Sequence, residues 1–217
     1  MSSPFTEFMQ GWLPPTVSLP PIFRDLFDWI DSNGWVVRGA REELFGSLSP
    51  GKSWMHHGTS VTFHVEPLDV RAQYSRLWSG VSGLHDRLVP FARTGADGSE
   101  AAFWLDPQGI QRIVHMGSGS GSLVTCVLAT DPVDFLRLLA IGYPELCSLD
   151  EPQFAEPPQR DDGHSIVNAP FRDWLAARGV SVPRTAREIV PRPAVMGDAD
   201  TTDAFCAWLN AVTRPKA

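Results

Sequence analysis

Lysine is nearly missing from this chain. Of 217 residues only Lys52 and Lys216 are lysines, and 18 basic against 25 acidic side chains leave a formal net charge of −7. That balance repels phosphate backbones and anionic lipid headgroups, so the chain is expected to bind neither nucleic acid nor a membrane surface. Cysteine is scarce too. Cys126, Cys147 and Cys206 stand far apart with no C-x-x-C pair. An odd count of that kind argues against a disulfide framework and fits a reducing cytoplasm. Cys126 and Cys206 have apolar neighbours and read as small core residues. The opening stretch MSSPFTEFMQGWLPP has no basic or apolar segment of the signal-peptide type. No apolar run reaches the roughly 20 residues needed to cross a bilayer.

Familiar catalytic signatures are absent as well. A dinucleotide fingerprint needs G-x-G-x-x-G opening a helix. In HMGSGSGSLVTCVLAT the glycines Gly117, Gly119 and Gly121 alternate, the sixth place is Ser122, and a strand follows. No lysine lies near for a phosphate loop, and no G-x-S-x-G is present. The run reads as a hairpin loop, for which glycine and serine are ordinary choices. MHHGTSVTFH gathers His56, His57 and His64, but without H-E-x-x-H or a carboxylate at helical spacing. They read as loop or surface histidines, with a metal-dependent hydrolase as the rival reading. No catalytic residue, cofactor or metal site is assigned.

What the chain does have is apolar and aromatic residue. Hydrophobic residues make up 43 %, with 12 Phe and 8 Trp, which excludes disorder. In SLPPIFRDLFDWIDSNG, Ile22, Phe23, Leu26, Phe27 and Ile30 share a helical face, Ser18 can cap, and Asn33-Gly34 ends the helix. SVTFHVEP alternates as a strand ended by Pro67, and VRAQYSRLWSGV predicts a short helix followed by a loop. SEAAFWLD and IQRIVHM are strands joined by a DPQG type I turn. SLVTCVLAT is apolar on both faces and is expected at the centre of the sheet. DPVDFLRLLAIG is a helix capped by Asp131 and stopped by Gly142. The acidic, proline-rich DEPQFAEPPQRDDGHS reads as an extended connection. Two aromatic-striped helices follow, one capped by Asn168 and one by Asp200 or Thr201. The expected architecture is α+β, an antiparallel sheet flanked by helices, with residues 1–149 as its core. Residues 150–217 supply the connector and a two-helix extension packed onto that core, since two helices alone cannot build a stable interior. Trp12, Trp35 and Trp54 stand in irregular segments. They are candidates for interface anchors or for partial burial under loops.

Three stretches in this order resemble the SUKH superfamily. The first is the Leu19-Pro20-led helix ending at Asn33-Gly34. The second is LVPFARTGADGSEAAFWLD, in which a proline and a Gly-Asp-type loop lead into a strand. The third is a strand running into a helix, Ala129-Thr130-Asp131 through Leu139. The similarity spans about Leu19 to Leu146. It leaves out a recognisable pattern over Glu42–Leu77, and residues after 149 exceed the usual family core. The resemblance implies an α+β domain without catalysis. Many bacterial members are immunity proteins that bind and neutralise a cognate toxin, often a nuclease or deaminase, and some fungal relatives are regulatory scaffolds.

The expected function is therefore that of a cytoplasmic, non-enzymatic protein that neutralises a toxin by covering its surface. The alternative is a regulatory or scaffold module for an endogenous partner. A basic toxin would be met by negative side chains, because complementary potential speeds encounter and fixes orientation. The candidate partner-binding residues are the loop acids Asp97, Glu100 and Asp106 beside the central strands, with the connector acids Asp161 and Asp162 second.

Overall fold

The structure is a computed structural model describing residues 2–50, 58–159 and 167–213. Seven strands form one antiparallel sheet in which each strand bonds only to its neighbours in sequence. They are β1 (Val36–Arg38), β2 (Leu44–Ser47), β3 (Thr62–Phe63), β4 (Leu88–Arg93), β5 (Glu100–Leu105), β6 (Gln111–Met116) and β7 (Thr125–Ala129). Among the described residues six α-helices accompany them: α1 (Pro4–Gly11), α2 (Pro21–Ser32), α3 (Leu68–Ser79), α4 (Pro132–Ile141), α5 (Ala169–Ala176) and α6 (Ala204–Thr213). The expected α+β class, a sheet flanked by helices, is the one observed.

The first face carries the main core. Phe23 of α2 stands at its centre, with ring centroids 5.3 Å from Phe91, 5.7 Å from Phe103 and 6.1 Å from Phe135. These rings are fully buried, at roughly 2–3 kcal/mol of transfer free energy each. Helix α1, which the sequence reading left unassigned, begins where Ser3 Oγ accepts the Thr6 N–H. It is tied to α2 by Asp28, which accepts the Ser3 N–H at 2.8 Å, and by Asp31, which accepts the Phe5 N–H. Phe5 lies over Gly46 of β2, where a Cβ would overlap its ring. Helix α5 joins this face, with the Trp174 ring tilted against Trp29 at 5.9 Å and the Arg178 guanidinium 3.8 Å above the Trp174 ring.

The second face is covered by α3 and α6. Leu88, Ala102, Trp104, Val114 and Met116 form a smaller buried cluster beneath Phe205, with Tyr74, Trp78 and Trp208 packed against it. Thus α5 and α6 lie on opposite faces of the sheet.

Several local expectations need correction. Strand β7 is last in the sheet, not central. It looks central in sequence because both its faces are covered and its outer edge is paired by an isolated Val124–Val195 bridge and the Thr125 N–H to Ala194 carbonyl bond. Pro20, not Ser18, occupies the N-cap of α2. The cap of α6 is Asp203, whose Oδ1 accepts the Phe205 and Cys206 N–H groups. The strand read in SVTFHVEP shortens to Thr62–Phe63, though Val61, Phe63 and Val65 do share the main core as their alternation requires. The glycine–serine run is the β6–β7 hairpin loop, with Gly119 in the left-handed region at φ 79°.

Candidate functional site

Helix α3 has an unusual relation to the sheet. Positions Arg71, Tyr74, Ser75 and Trp78 follow i, i+3, i+4, i+7 spacing and so share one face. Arg71 and Ser75 are buried, at 3 % and 4 % exposure, while Leu68, Val70 and Leu77 are exposed. The reason lies in what the helix covers. Tyr74 and Trp78 rest on the apolar half of the second face. The other half, near β3 and the start of β5, presents polar side chains instead.

That polar half is a cluster of charged groups at the floor of a cleft of about 340 Å³. Arg93 of β4 stands opposite Glu100 of β5 in the strand register. His64, one residue beyond β3, places Nε2 3.8 Å from both Glu100 Oε1 and Glu66 Oε1. Val70, Arg71 and Tyr74 of α3 form one wall, and Glu66, Pro90, Arg93 and Glu100 line the remainder with the 95–98 loop. Arg71 donates from Nη1 to the carbonyls of Trp12 and Glu66, yet its buried Nε has no hydrogen-bond partner. Glu100 Oε2 is buried and unpartnered in the same way. Such groups are rare in folded proteins, because each forfeits its hydration without replacement.

Burial sets the titration of the cluster. It pushes the Glu100 carboxyl up to about 7, outweighing the Tyr74 hydroxyl bond and the Arg93 charge, both of which favour ionisation. It holds His64 down near 4, with Arg93 acting in the same direction. It also raises Tyr74, reinforced by the Glu100 charge, and lowers Arg71, against the opposing pull of Asp86. His64 is therefore neutral at pH 7, whereas Glu100 is divided between its two forms. A cleft holding a carboxyl poised near neutrality beside two guanidinium groups can bind a charged group and exchange a proton as it does so.

The acids singled out in the sequence are placed differently from one another. Glu100 is not a loop residue: it begins β5 and is 8 % exposed. Asp106, at 2 % exposure, is also unavailable as surface charge. Its Oδ1 accepts the Gln108 and Ile110 N–H groups and its Oδ2 pairs with Arg112 Nε at 3.1 Å, which organises the β5–β6 turn. Asp97 is half-buried. It accepts hydrogen bonds from the Ser99 and Ser118 hydroxyls and braces the glycine–serine hairpin. Burial opposes its ionisation, but these bonds hold its carboxyl below the ordinary range. Asp161 and Asp162 lie outside the described residues, as do His56 and His57, so of the histidine group only His64 is placed. Among the described residues no group of three or more His, Cys, Asp or Glu side chains is arranged to hold a metal ion, and no helix is long and apolar enough to cross a membrane.

Arg71, Tyr74, Arg93 and Glu66 belong to the cleft and drew no attention in sequence. One signal was available. In LDVRAQYSRLWS the residues aligned with Trp78 are Arg71, Tyr74 and Ser75, a polar stripe where a sheet-covering helix is normally apolar. Comparison of the chain with family models, with curated proteins and with solved structures found no match in any of the three.

Proposed function

We propose that this chain is a protein-binding module of the toxin-neutralising, immunity type, and that it meets its partner along the outer flank of α3. The observation that carries this reading is the orientation of that helix. Val70 and Leu77 fall within about 20° of each other around the helix axis, on the flank next to Tyr74. They are 36 % and 74 % exposed, and Leu68 adds a third exposed apolar side chain on the opposite flank. Water-facing apolar residues grouped beside a polar cleft are characteristic of interaction surfaces. The occupant is a basic protein. Around α3 the exposed charges are of both signs, Asp69 and Asp86 with Arg76, so it is the net charge of −7 that favours encounter with a positive surface. The SUKH-like order of elements supports the same class of partner.

The test is binding to the protein encoded beside this chain, together with rescue of cells that express that neighbour. The reading predicts a complex, rescue, and loss of both in Leu77→Glu, whose exposed site leaves the urea midpoint unchanged. Absence of a complex and of rescue with the unaltered chain would defeat it.

A further inference from the structure

The cleft beneath α3 is not explained by a docking flank. Its floor holds a buried guanidinium N–H at Arg71 Nε and a buried carboxyl oxygen at Glu100 Oε2, both without partners, and both residues line the same space. Arg93 lines that space, is exposed, and forms no ion pair among the described residues. A chain that needed these groups only for its fold would have joined them to one another or replaced them with apolar residues.

We propose that this cleft is a binding site for a single carboxylate group, taken up together with one proton. The anion faces the Arg71 Nε–H and the Arg93 guanidinium, and the incoming proton resides on Glu100 Oε2, which then donates a hydrogen bond to the ligand oxygen.

Counting charges selects this class of ligand. The groups facing Glu100 are Tyr74 from α3, Arg93 from β4, and His64 and Glu66 from the chain between β3 and α3, and Arg71 of α3 lines the same cleft. With Glu100 ionised, the two arginines that line the cleft balance its two carboxylates, Glu66 and Glu100; Asp86, the acid that acts on Arg71, lies outside the lining and is exposed to water, which screens it. Protonating Glu100 leaves one positive charge, which one carboxylate cancels. A phosphate dianion would leave an unbalanced negative charge in a buried place. An ammonium ligand would add a positive charge beside Arg71 and Arg93. Val70, Pro90 and the Tyr74 ring supply apolar walls, so an acid with an aromatic or aliphatic body fits better than a bare anion. The volume is near the lower end for small-ligand sites. No atom is transferred except the proton, which comes from water and rests on Glu100.

The experiment is titration calorimetry of the full chain with benzoate, with benzamide and benzylamine as neutral and cationic controls, at pH 6 and pH 8. The expected result is binding of benzoate alone, weakened about tenfold at the higher pH, because the fraction of Glu100 carrying a proton falls by that factor around a value of about 7. Runs in two buffers of different ionisation enthalpy should show uptake of up to one proton at pH 8. Glu100→Gln imitates the protonated carboxyl and should keep the pH 6 affinity at both pH values, while Arg93→Gln should weaken benzoate at both. Binding of benzylamine in preference to benzoate would overturn the proposal, as would benzoate affinity with no pH dependence in the unaltered chain. Adding the neighbour-encoded protein to the benzoate-loaded chain separates two sources of the same chemistry. Displacement assigns the site to a carboxylate of that protein, and retention assigns it to a free acid. The calorimetry needs no partner, so its outcome stands apart from that of the toxin-binding test.

Discussion

Replacing Glu100 with glutamine should stabilise this protein at alkaline pH and leave it nearly unchanged in mild acid. The carboxyl rises from its ordinary 4.5 to about 7 in the folded chain because burial penalises its charge. A raised carboxyl value means that the folded state holds a proton where the unfolded chain has already lost it. Stability from this group is therefore complete below pH 4.5 and declines as the pH rises through 7. At roughly 1.4 kcal/mol per unit, the loss between pH 5 and pH 8.5 comes to about 2 to 3 kcal/mol. Glutamine cannot ionise, so Glu100→Gln escapes the loss. His64 and His115 are held near 4 by burial. They act in the opposite sense, withdrawing stability as the pH falls from 6.5 toward 4; His115 does so equally in both proteins, and His64, 3.8 Å from Glu100, is mostly neutral in the folded parent across pH 5 to 8.5. Urea unfolding of the pair at pH 5 and pH 8.5 measures it directly. The difference in unfolding free energy should move in favour of the variant by that amount as pH rises. A variant less stable than the parent at pH 8.5, or a difference independent of pH, would refute the assignment of Glu100 as a carboxyl whose burial outweighs the nearby Arg93 charge.

Two further substitutions probe the scaffold. Gly46→Ala should cost about 1–3 kcal/mol of unfolding free energy, since the added methyl meets the Phe5 ring and Ile30 in a packed core; an unchanged urea midpoint would mean that α1 is loosely seated. Asp106→Ala should cost about 2 kcal/mol at pH 7 by stripping the β5–β6 turn of its acceptor. Burial opposes ionisation of Asp106, but its bonds to Ile110, Arg112 and Gln108 prevail and lower its value. Its contribution should therefore fade as pH falls below about 4, shrinking the gap between variant and parent.

The chain discloses its helices and strands unevenly. Helices α2, α4 and α5 were legible because their apolar residues keep a 3.6-residue period and end in Asn33-Gly34, Gly142 or Gly179. Strands β5 and β6 were legible because the Asp106–Gly109 turn has only one good reading. Strand β7 misled because its coverage by the 194–203 segment and α6 is a long-range fact, invisible to local periodicity. Helix α1 and strands β1 and β2 are short, and their stability comes from packing and not from pattern, while β4 is interrupted by Pro90 and the register shift beside it. The acids fared similarly. Charge is written in the sequence, but burial is not, so Asp106 and Glu100 counted as surface until the fold enclosed them. The cleft itself joins residues 64–74 to 90–100 through strand register, a relation that only pairing can reveal.

The outer flank of α3 is the surface proposed to meet another protein. Hydrogen–deuterium exchange of the chain, with and without the neighbour-encoded protein, tests that surface at the level of peptides. Exchange should slow over residues 66–80, with α5 and the first face unaffected. Protection confined to α5, the β1 edge or the β6–β7 hairpin would contradict it.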